Sequence, residues 1–139
     1  MTPYTEMSEC PRHGNYAEAL CTIEVFREYA KGLEKIDTCS HLVVLYWMNR
    51  GNRRRLRESM PQGHPGAGNR VGVFACRSPN RPNPVAIIAA ELLQRQGRFL
   101  RVRGLDCLDR TPLIDLKGYH PDIDHFPGAT IGWMNSGGE

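Results

Sequence analysis

Eight consecutive residues, Arg77-Ser78-Pro79-Asn80-Arg81-Pro82-Asn83-Pro84, set two guanidinium groups among three prolines at the end of the longer block Gly72–Pro84. Each proline fixes φ and holds the residue before it extended, so this stretch of backbone has few ways to relax. A guanidinium on a pre-ordered loop loses less entropy on binding and can grip a carboxylate or phosphate through two parallel bonds. The alternative is a strand connector with its arginines in solvent, but three prolines at that spacing around two arginines are uncommon.

A second candidate is Leu105-Asp106-Cys107-Leu108-Asp109-Arg110-Thr111-Pro112, which places two carboxylates three residues apart in a turn. They could accept from ribose hydroxyls or an exocyclic amine, or bond their own backbone as ordinary turn caps. Asp115 and Lys117 fall on one strand face, as a plain ion pair or as part of the site. A third feature is a basic run: Arg50, Arg53, Arg54, Arg55 and Arg57 crowd into eight positions, and Arg70, Arg77 and Arg81 follow. Such an excess either contacts phosphates or is a solvated, mobile surface.

Other chemistry finds less support. The histidines at positions 13, 41, 64, 120 and 125 are scattered and lack the local spacing of a zinc site, so no metal is expected. Cys76 beside Arg77 invites a nucleophile reading, because a nearby cation lowers a thiol pKa, but a small residue filling a strand end is the simpler role. Neither Gly-x-Gly-x-x-Gly nor a Walker-type loop is present. Five widely spaced cysteines without a Cys-x-x-Cys pair or a preceding secretory signal point to reduced thiols and a cytoplasmic protein. No apolar run approaches the roughly 20 residues of a membrane-spanning helix.

The elements that must position these residues read as short strands. At 139 residues the chain suits one domain, here divided into an irregular arm over 1–16 and a domain over 17–139. Ala19–Phe26 alternates as a half-buried strand, and Phe26, Tyr29, Ala30 and Leu33 then suggest a turn or two of helix. Ser40–Met48 reads as a central strand. Gly51–Arg70 reads as a long connection without a core face of its own. Arg70–Cys76 and Pro84–Leu93 read as strands on either side of the proline loop. Gln96-Gly97 is a tight turn into the strand Arg98–Arg103, and Leu113–Leu116 is the last strand, ahead of a tail without periodicity. The expectation is a mainly β protein, a small antiparallel sheet or barrel with short helical turns and long loops.

With these blocks in order, the sequence resembles the TsaA-like family, over about Pro11 to Pro121. The resemblance rests on Glu28-Tyr29-Ala30-Lys31-Gly32-Leu33, Ser40-His41-Leu42 leading into Leu45-Tyr46-Trp47, Gly72–Pro84, and Gly104-Leu105-Asp106 through Thr111-Pro112 to Asp115-Leu116-Lys117. It implies a small β-barrel that binds S-adenosylmethionine, usually as a homodimer, and transfers a methyl group to N6 of threonylcarbamoyladenosine beside the anticodon of tRNA. By the same resemblance, cofactor contacts fall on Pro11-Arg12-His13-Gly14, Asn49-Arg50, Arg77, Ile87 and Asp106-Cys107-Leu108-Asp109. Arg53, Arg54, Arg55, Arg81 and Lys117 are then the residues available to the substrate. No general base is identified.

The sequence departs from the family pattern at several points. Met1–Cys10 has nothing like the usual opening strand Ile-Gly-x-Ile-x-Ser-Pro, so a barrel strand is missing or replaced. Asn49, Cys76, Arg110 and Gly118 stand where His, Thr, Gly and Pro are common. A C-terminal extension of some bacterial members is absent, which leaves the arginine run as a substitute grip on RNA. Two alternatives remain open at this level: a non-catalytic module that binds S-adenosylmethionine or RNA, and a methyltransferase for a small molecule.

Overall fold

The computed structural model describes residues 1–10 and 18–135. Its residues divide into two compact units, one of Met1–Met48 with Val85–Pro121 and the other of Asn49–Pro84 with Asp122–Glu139.

The first unit is built on a five-stranded antiparallel sheet in the order β1-β6-β5-β2-β7. Its strands are β1 (Leu20–Glu24), β2 (His41–Trp47), β5 (Val85–Gln96), β6 (Phe99–Arg103) and β7 (Leu113–Gly118). Alternation sends Cys21 and Ile23 of β1, Leu42, Val44 and Tyr46 of β2, Ile88 and Ala90 of β5, and Leu100 and Val102 of β6 to one buried face. Val25, Leu33, from a 3-10 segment over Arg27–Leu33, and Leu105 complete that core. Although β2 reads as an unbroken apolar run, its burial alternates. Val43, Leu45 and Trp47 lie half-buried on the other face, in register with Ala89, Ile87 and Val85 of β5.

The Gln96-Gly97 turn forms as its residues dictate. Gln96 pairs with Phe99, and Gly97 sits at φ 58°, the positive value that a type II′ turn requires at its first central position. β5 runs on to Gln96, past the expected end at Leu93, because a bulge between Leu92 and Gln94 keeps it paired to β6. Among the described residues the sheet stays open, and no pairing joins β1 to β7 to close the expected barrel. The free edge of β1 instead meets the first residue of the chain: Met1 N donates to Thr22 O, and Thr22 N donates to Met1 O at 2.9 Å. Met1–Tyr4 is irregular, yet it bonds to both a strand and the turn that holds Cys107 and Asp109.

In the second unit β3 (Arg57–Ser59) pairs with β4 (Arg70–Gly72), Arg57 opposite Gly72 and Ser59 opposite Arg70. The stretch expected to be a featureless connection therefore contains a strand, too short for its alternation to be read. Its loop folds back through Met60 N to Asn69 O at 2.8 Å and buries Met60. The strand expected over Arg70–Cys76 stops at Gly72. Val73–Ala75 is a 3-10 turn that puts Val73 into the unit's interior, 1% exposed, while Val73 N still donates to Leu56 O at 3.0 Å. From the tail, the single turn Gly132–Asn135 stacks Trp133 on His64 at 5.7 Å between centroids. Trp133 lies so close over Gly66 that a Cβ there would stand 2.4 Å from the indole ring.

Candidate functional site

The proline loop is stiffer than its prolines alone require. Glu58, on β3, accepts at Oε2 from Ser78 Oγ at 2.7 Å and from Asn80 Nδ2 at 3.0 Å, and at Oε1 from Arg55 at 3.0 Å. The donors Asn80 and Ser78, in that order, hold its carboxyl below the usual glutamate range. Within the loop, Asn80 N donates to Ser78 Oγ at 3.1 Å, and Arg81 reaches back to the carbonyls of Cys76 at 2.9 Å and Ser78 at 3.2 Å. From the arginine segment, Asn52 N donates to Asn80 Oδ1 at 2.8 Å and Arg53 Nε donates to Pro82 O at 2.8 Å. Gly51 packs against the loop so closely that a Cβ would lie 2.1 Å from Pro79 O.

This bracing sorts the arginines. Arg81 is a strut, its guanidinium occupied by two backbone carbonyls. Arg53 ties down Pro82, and Arg55 is paired to Glu58. The side chains of Arg50, Arg54 and Arg77 are exposed and carry no hydrogen bond or ion pair to any described residue. Close approach of Gly51 to Pro79 brings the Asn49-Arg50 end of the preceding segment alongside the loop that presents Arg77.

In the first unit the acidic turn is equally fixed. Tyr46, buried on β2, donates its hydroxyl to Asp106 Oδ1. Burial first, and the neighbouring Asp106 charge second, push the phenol far above its ordinary value, so it stays protonated and keeps its proton on the bond to Asp106. Asp109 Oδ1 accepts from Thr2 N at 2.9 Å, Asp109 N donates to Tyr4 O at 2.8 Å, and Thr2 Oγ1 donates to Cys107 O at 2.8 Å. Burial, followed by the Asp106 charge, pushes the Cys107 thiol up to about 12, which removes it as a nucleophile at neutral pH. Thr111 closes the turn on Leu108 O, through its hydroxyl at 2.7 Å and its amide at 3.3 Å. Arg110 stands at φ 62°, in the left-handed region that favours the glycine common in the resembled family.

Ile87, 50% exposed, lies on the sheet face opposite the core. On β7, Lys117 pairs with Asp115 at 3.4 Å, both ends well exposed, so the pair contributes little to stability. Pro11, Arg12, His13 and Gly14 lie outside the described residues. Cys76 is half-buried at the foot of the loop and donates weakly to Val73 O at 3.7 Å.

The sequence reading missed Glu58, Gly51, Tyr46 and Thr2. Glu58 carried a usable signal as the sole carboxylate inside an arginine-rich stretch. Ser78-Pro79-Asn80 carried another, since a serine two residues before an amide is the pattern of a side-chain-bridged turn.

Residues 1–125 match the family model of the tRNA-methyltransferase O N-terminal domain. The chain belongs to that family. It is 46% identical over 133 residues to a probable S-adenosyl-L-methionine-binding protein of Archaeoglobus fulgidus, an alignment that covers 96% of this chain and 35% of the relative. A shorter S-adenosyl-L-methionine-binding protein of the same organism is 43% identical, with 88% of this chain and 86% of the relative covered. The tRNA (adenine(37)-N6)-methyltransferase of Escherichia coli is 29% identical over 97% of this chain and 60% of its own length. The crystal structure of TrmO from Pseudomonas aeruginosa superposes with a TM-score of 0.77 at 26% identity, with 98% of this chain and 58% of that one covered. The chain thus spans about a third of the first Archaeoglobus protein and under two thirds of the two bacterial enzymes.

Proposed function

We propose that this member of the family is an S-adenosylmethionine-dependent methyltransferase acting on N6 of threonylcarbamoyladenosine beside the anticodon of tRNA. The observation that carries the reading is Arg77: an exposed guanidinium without a partner among the described residues, on a loop in which Ser78, Asn80 and Arg81 are bonded inward. That is the arrangement a carboxylate-bearing small ligand requires, and the amino-acid end of S-adenosylmethionine carries such a carboxylate. Asn49 and Arg50 are assigned to the same ligand. The turn Asp106-Cys107-Leu108-Asp109 and Ile87 supply acceptors for hydroxyls or an amine and an apolar surface. The names of the relatives, S-adenosyl-L-methionine-binding proteins and a tRNA methyltransferase, support the assignment.

When bound, the cofactor supplies an electrophilic methyl on a sulfonium. The N6 nitrogen of the substrate is urea-like and weakly nucleophilic, so the protein's part is to orient it, to neutralise the threonyl carboxylate with arginine, and to accommodate loss of the N6 proton. The reading includes a barrel-like sheet, a homodimer and a cytoplasmic location. The apolar strip formed by Val43, Leu45 and Trp47 with Val85, Ile87 and Ala89 supports pairing of two copies.

Calorimetric titration with S-adenosylmethionine is the first test: binding that is lost in Arg77→Ala and weakened in Arg77→Lys is expected, and absence of binding sinks the reading. A methyl-transfer assay on tRNA carrying or lacking the threonylcarbamoyl group then separates an RNA enzyme from a small-molecule one.

A further inference from the structure

The β3–β4 hairpin has two chemically different faces. Glu58 and Val71 are paired across it, and Glu58 is turned to the proline loop, where three donors occupy its two oxygens. Arg57, Ser59, Arg70 and Gly72 alternate to the other face. There Arg57 and Arg70 are diagonal neighbours, on the order of 7–8 Å apart by strand geometry. Both are exposed, and neither side chain has a hydrogen-bond or ion-pair partner among the described residues. A shallow groove of about 540 Å³ runs here, lined by Arg54–Ser59 and Arg70.

One apolar side chain, Leu56, lines this basic groove, and a second, Phe74, lies just beyond its lining, one residue after Val73. Leu56 is 63% exposed and Phe74 is 82% exposed, and the Val73 N to Leu56 O bond of 3.0 Å holds their two segments side by side. Phe74 follows Val73 directly, in the 3-10 turn just past the end of β4, and its ring is open to solvent. Phe74 contributes almost nothing to the protein's core, and an unused aromatic beside unpaired arginines is the composition of a single-stranded nucleic-acid surface, in which cations track phosphates and rings stack bases.

We infer that the β3–β4 face is an RNA-backbone groove in which Arg54, Arg57 and Arg70 contact successive phosphates of an unpaired strand and Phe74 stacks on a base. This rests on the reading of tRNA as substrate, and it relocates the RNA contacts: Arg53, Arg55 and Arg81 are committed to bracing the proline loop, and the arginines that hold RNA are their unbraced neighbours. The groove shares Arg55 and Glu58 with the brace of the loop that presents Arg77, but Arg57 and Arg70 take no part in that brace, so the two can be disabled separately.

The test measures binding of a fluorescently labelled anticodon stem-loop RNA by the full chain between 50 and 200 mM salt. Arg57→Ala/Arg70→Ala is expected to weaken binding at least about tenfold at 100 mM salt and to lower the slope of log affinity against log salt by about 1.4, two single-strand phosphate contacts' worth. Phe74→Ser is expected to weaken binding about fivefold or more with the slope unchanged, as loss of stacking requires. Arg27→Ala/Arg101→Ala, which removes two exposed arginines of the other unit, serves as the charge-matched control and is expected to shift affinity less than twofold. All these substitutions are at exposed positions, and a circular dichroism melt within 2 °C of wild type, roughly the shift expected of under 1 kcal/mol, checks the fold.

Equal losses in the groove and control variants would mean undirected charge attraction and overturn the inference, as would unchanged RNA affinity in Arg57→Ala/Arg70→Ala. Loss of binding to anionic phospholipid vesicles with RNA affinity intact assigns the groove to a membrane and equally overturns it. S-adenosylmethionine titration of the same variants is expected to match wild type. Failure of the groove therefore leaves the cofactor reading standing, whereas wild-type protein that binds no RNA refutes the groove and the tRNA reading together.

Discussion

Removing the Glu58 carboxylate should loosen the proline loop by an amount that its three hydrogen bonds set. The bonds from Ser78 at 2.7 Å and Asn80 at 3.0 Å end on a side chain only 17% exposed, whereas the Arg55 partner is 45% exposed. Bonds to a charged acceptor contribute about 1.5–3 kcal/mol each, and both loop donors can partly re-form bonds to water in a variant. The exposed Arg55 pair adds less than about 1 kcal/mol. Glu58→Ala is thus expected to lower the free energy of local loop opening by about 2–3 kcal/mol, or roughly 30- to 150-fold in the opening equilibrium.

Two amides report it directly, because Asn80 N–H is bonded to Ser78 Oγ and Asn52 N–H to Asn80 Oδ1. Their hydrogen exchange should accelerate by that factor in Glu58→Ala. In Glu58→Gln, which keeps one oxygen for the loop donors but loses the charge, it should accelerate only about fivefold, a cost of about 1 kcal/mol. The pH dependence has a defined sign. Glu58 is held below its ordinary pKa in the folded loop, so its contribution is complete above the unfolded value of about 4.3 and is lost as pH falls through the lowered folded value. After correction for intrinsic exchange, wild-type protection should decline below about pH 4 while Glu58→Gln stays flat. Exchange at Asn52 and Asn80 within twofold of wild type in Glu58→Ala would refute the bracing argument.

Gly51→Ala places a Cβ 2.1 Å from Pro79 O and 2.7 Å from Pro79 C, backbone atoms that cannot rotate away, so the loop must move by about an ångström. Calorimetry should show S-adenosylmethionine affinity at least about tenfold weaker, and wild-type affinity would count against loop geometry as the determinant. Tyr46→Phe deletes the donor to Asp106 at a buried site, a loss of about 1.5–3 kcal/mol that thermal denaturation should register as a fall of about 5 °C or more. Cys107, with its thiol pushed up to about 12, should resist iodoacetamide at pH 8 in the native protein and react readily once unfolded in guanidinium; prompt native labelling would contradict its burial.

What the sequence makes readable is what acts locally. Proline stiffness, the Gln96-Gly97 turn and the alternation of Ala19–Phe26 each depend on adjacent residues, and the structure bears them out in the turn at Gly97 and in β1. The interior place of β2 is readable from its continuous apolar character, because both of its faces are covered in part, Leu42, Val44 and Tyr46 in the core and Val43, Leu45 and Trp47 half-buried opposite. β3 is not readable, since three residues offer no period, and its role comes from pairing with Arg70–Gly72 across a loop. Glu58 stands out as the sole carboxylate of the arginine-rich stretch, but its loop donors do not, because they lie at sequence separations of 20 and 22. Tyr46 is 60 residues from Asp106, so the block Leu45-Tyr46-Trp47 reads as core while its hydroxyl fixes the acidic turn. The open sheet edge depends likewise on a long-range pairing, Met1 with Thr22, that no local pattern announces.

The groups that fix the proline loop, from Gly51 and Asn52 through Glu58 to Ser78, Asn80 and Arg81, all lie in one stretch of chain. Frame and tip are therefore separable over evolutionary time. On the proposed function, substitution at position 77 changes what the loop recognises while its path is kept, so new ligand preferences are reachable in single steps. Substitution at 51 or 58 changes the path for whatever residue stands at 77. A lineage that explores new ligands should accordingly diverge at the tip and stay constant in the frame, and one that abandons the ligand should lose the frame first.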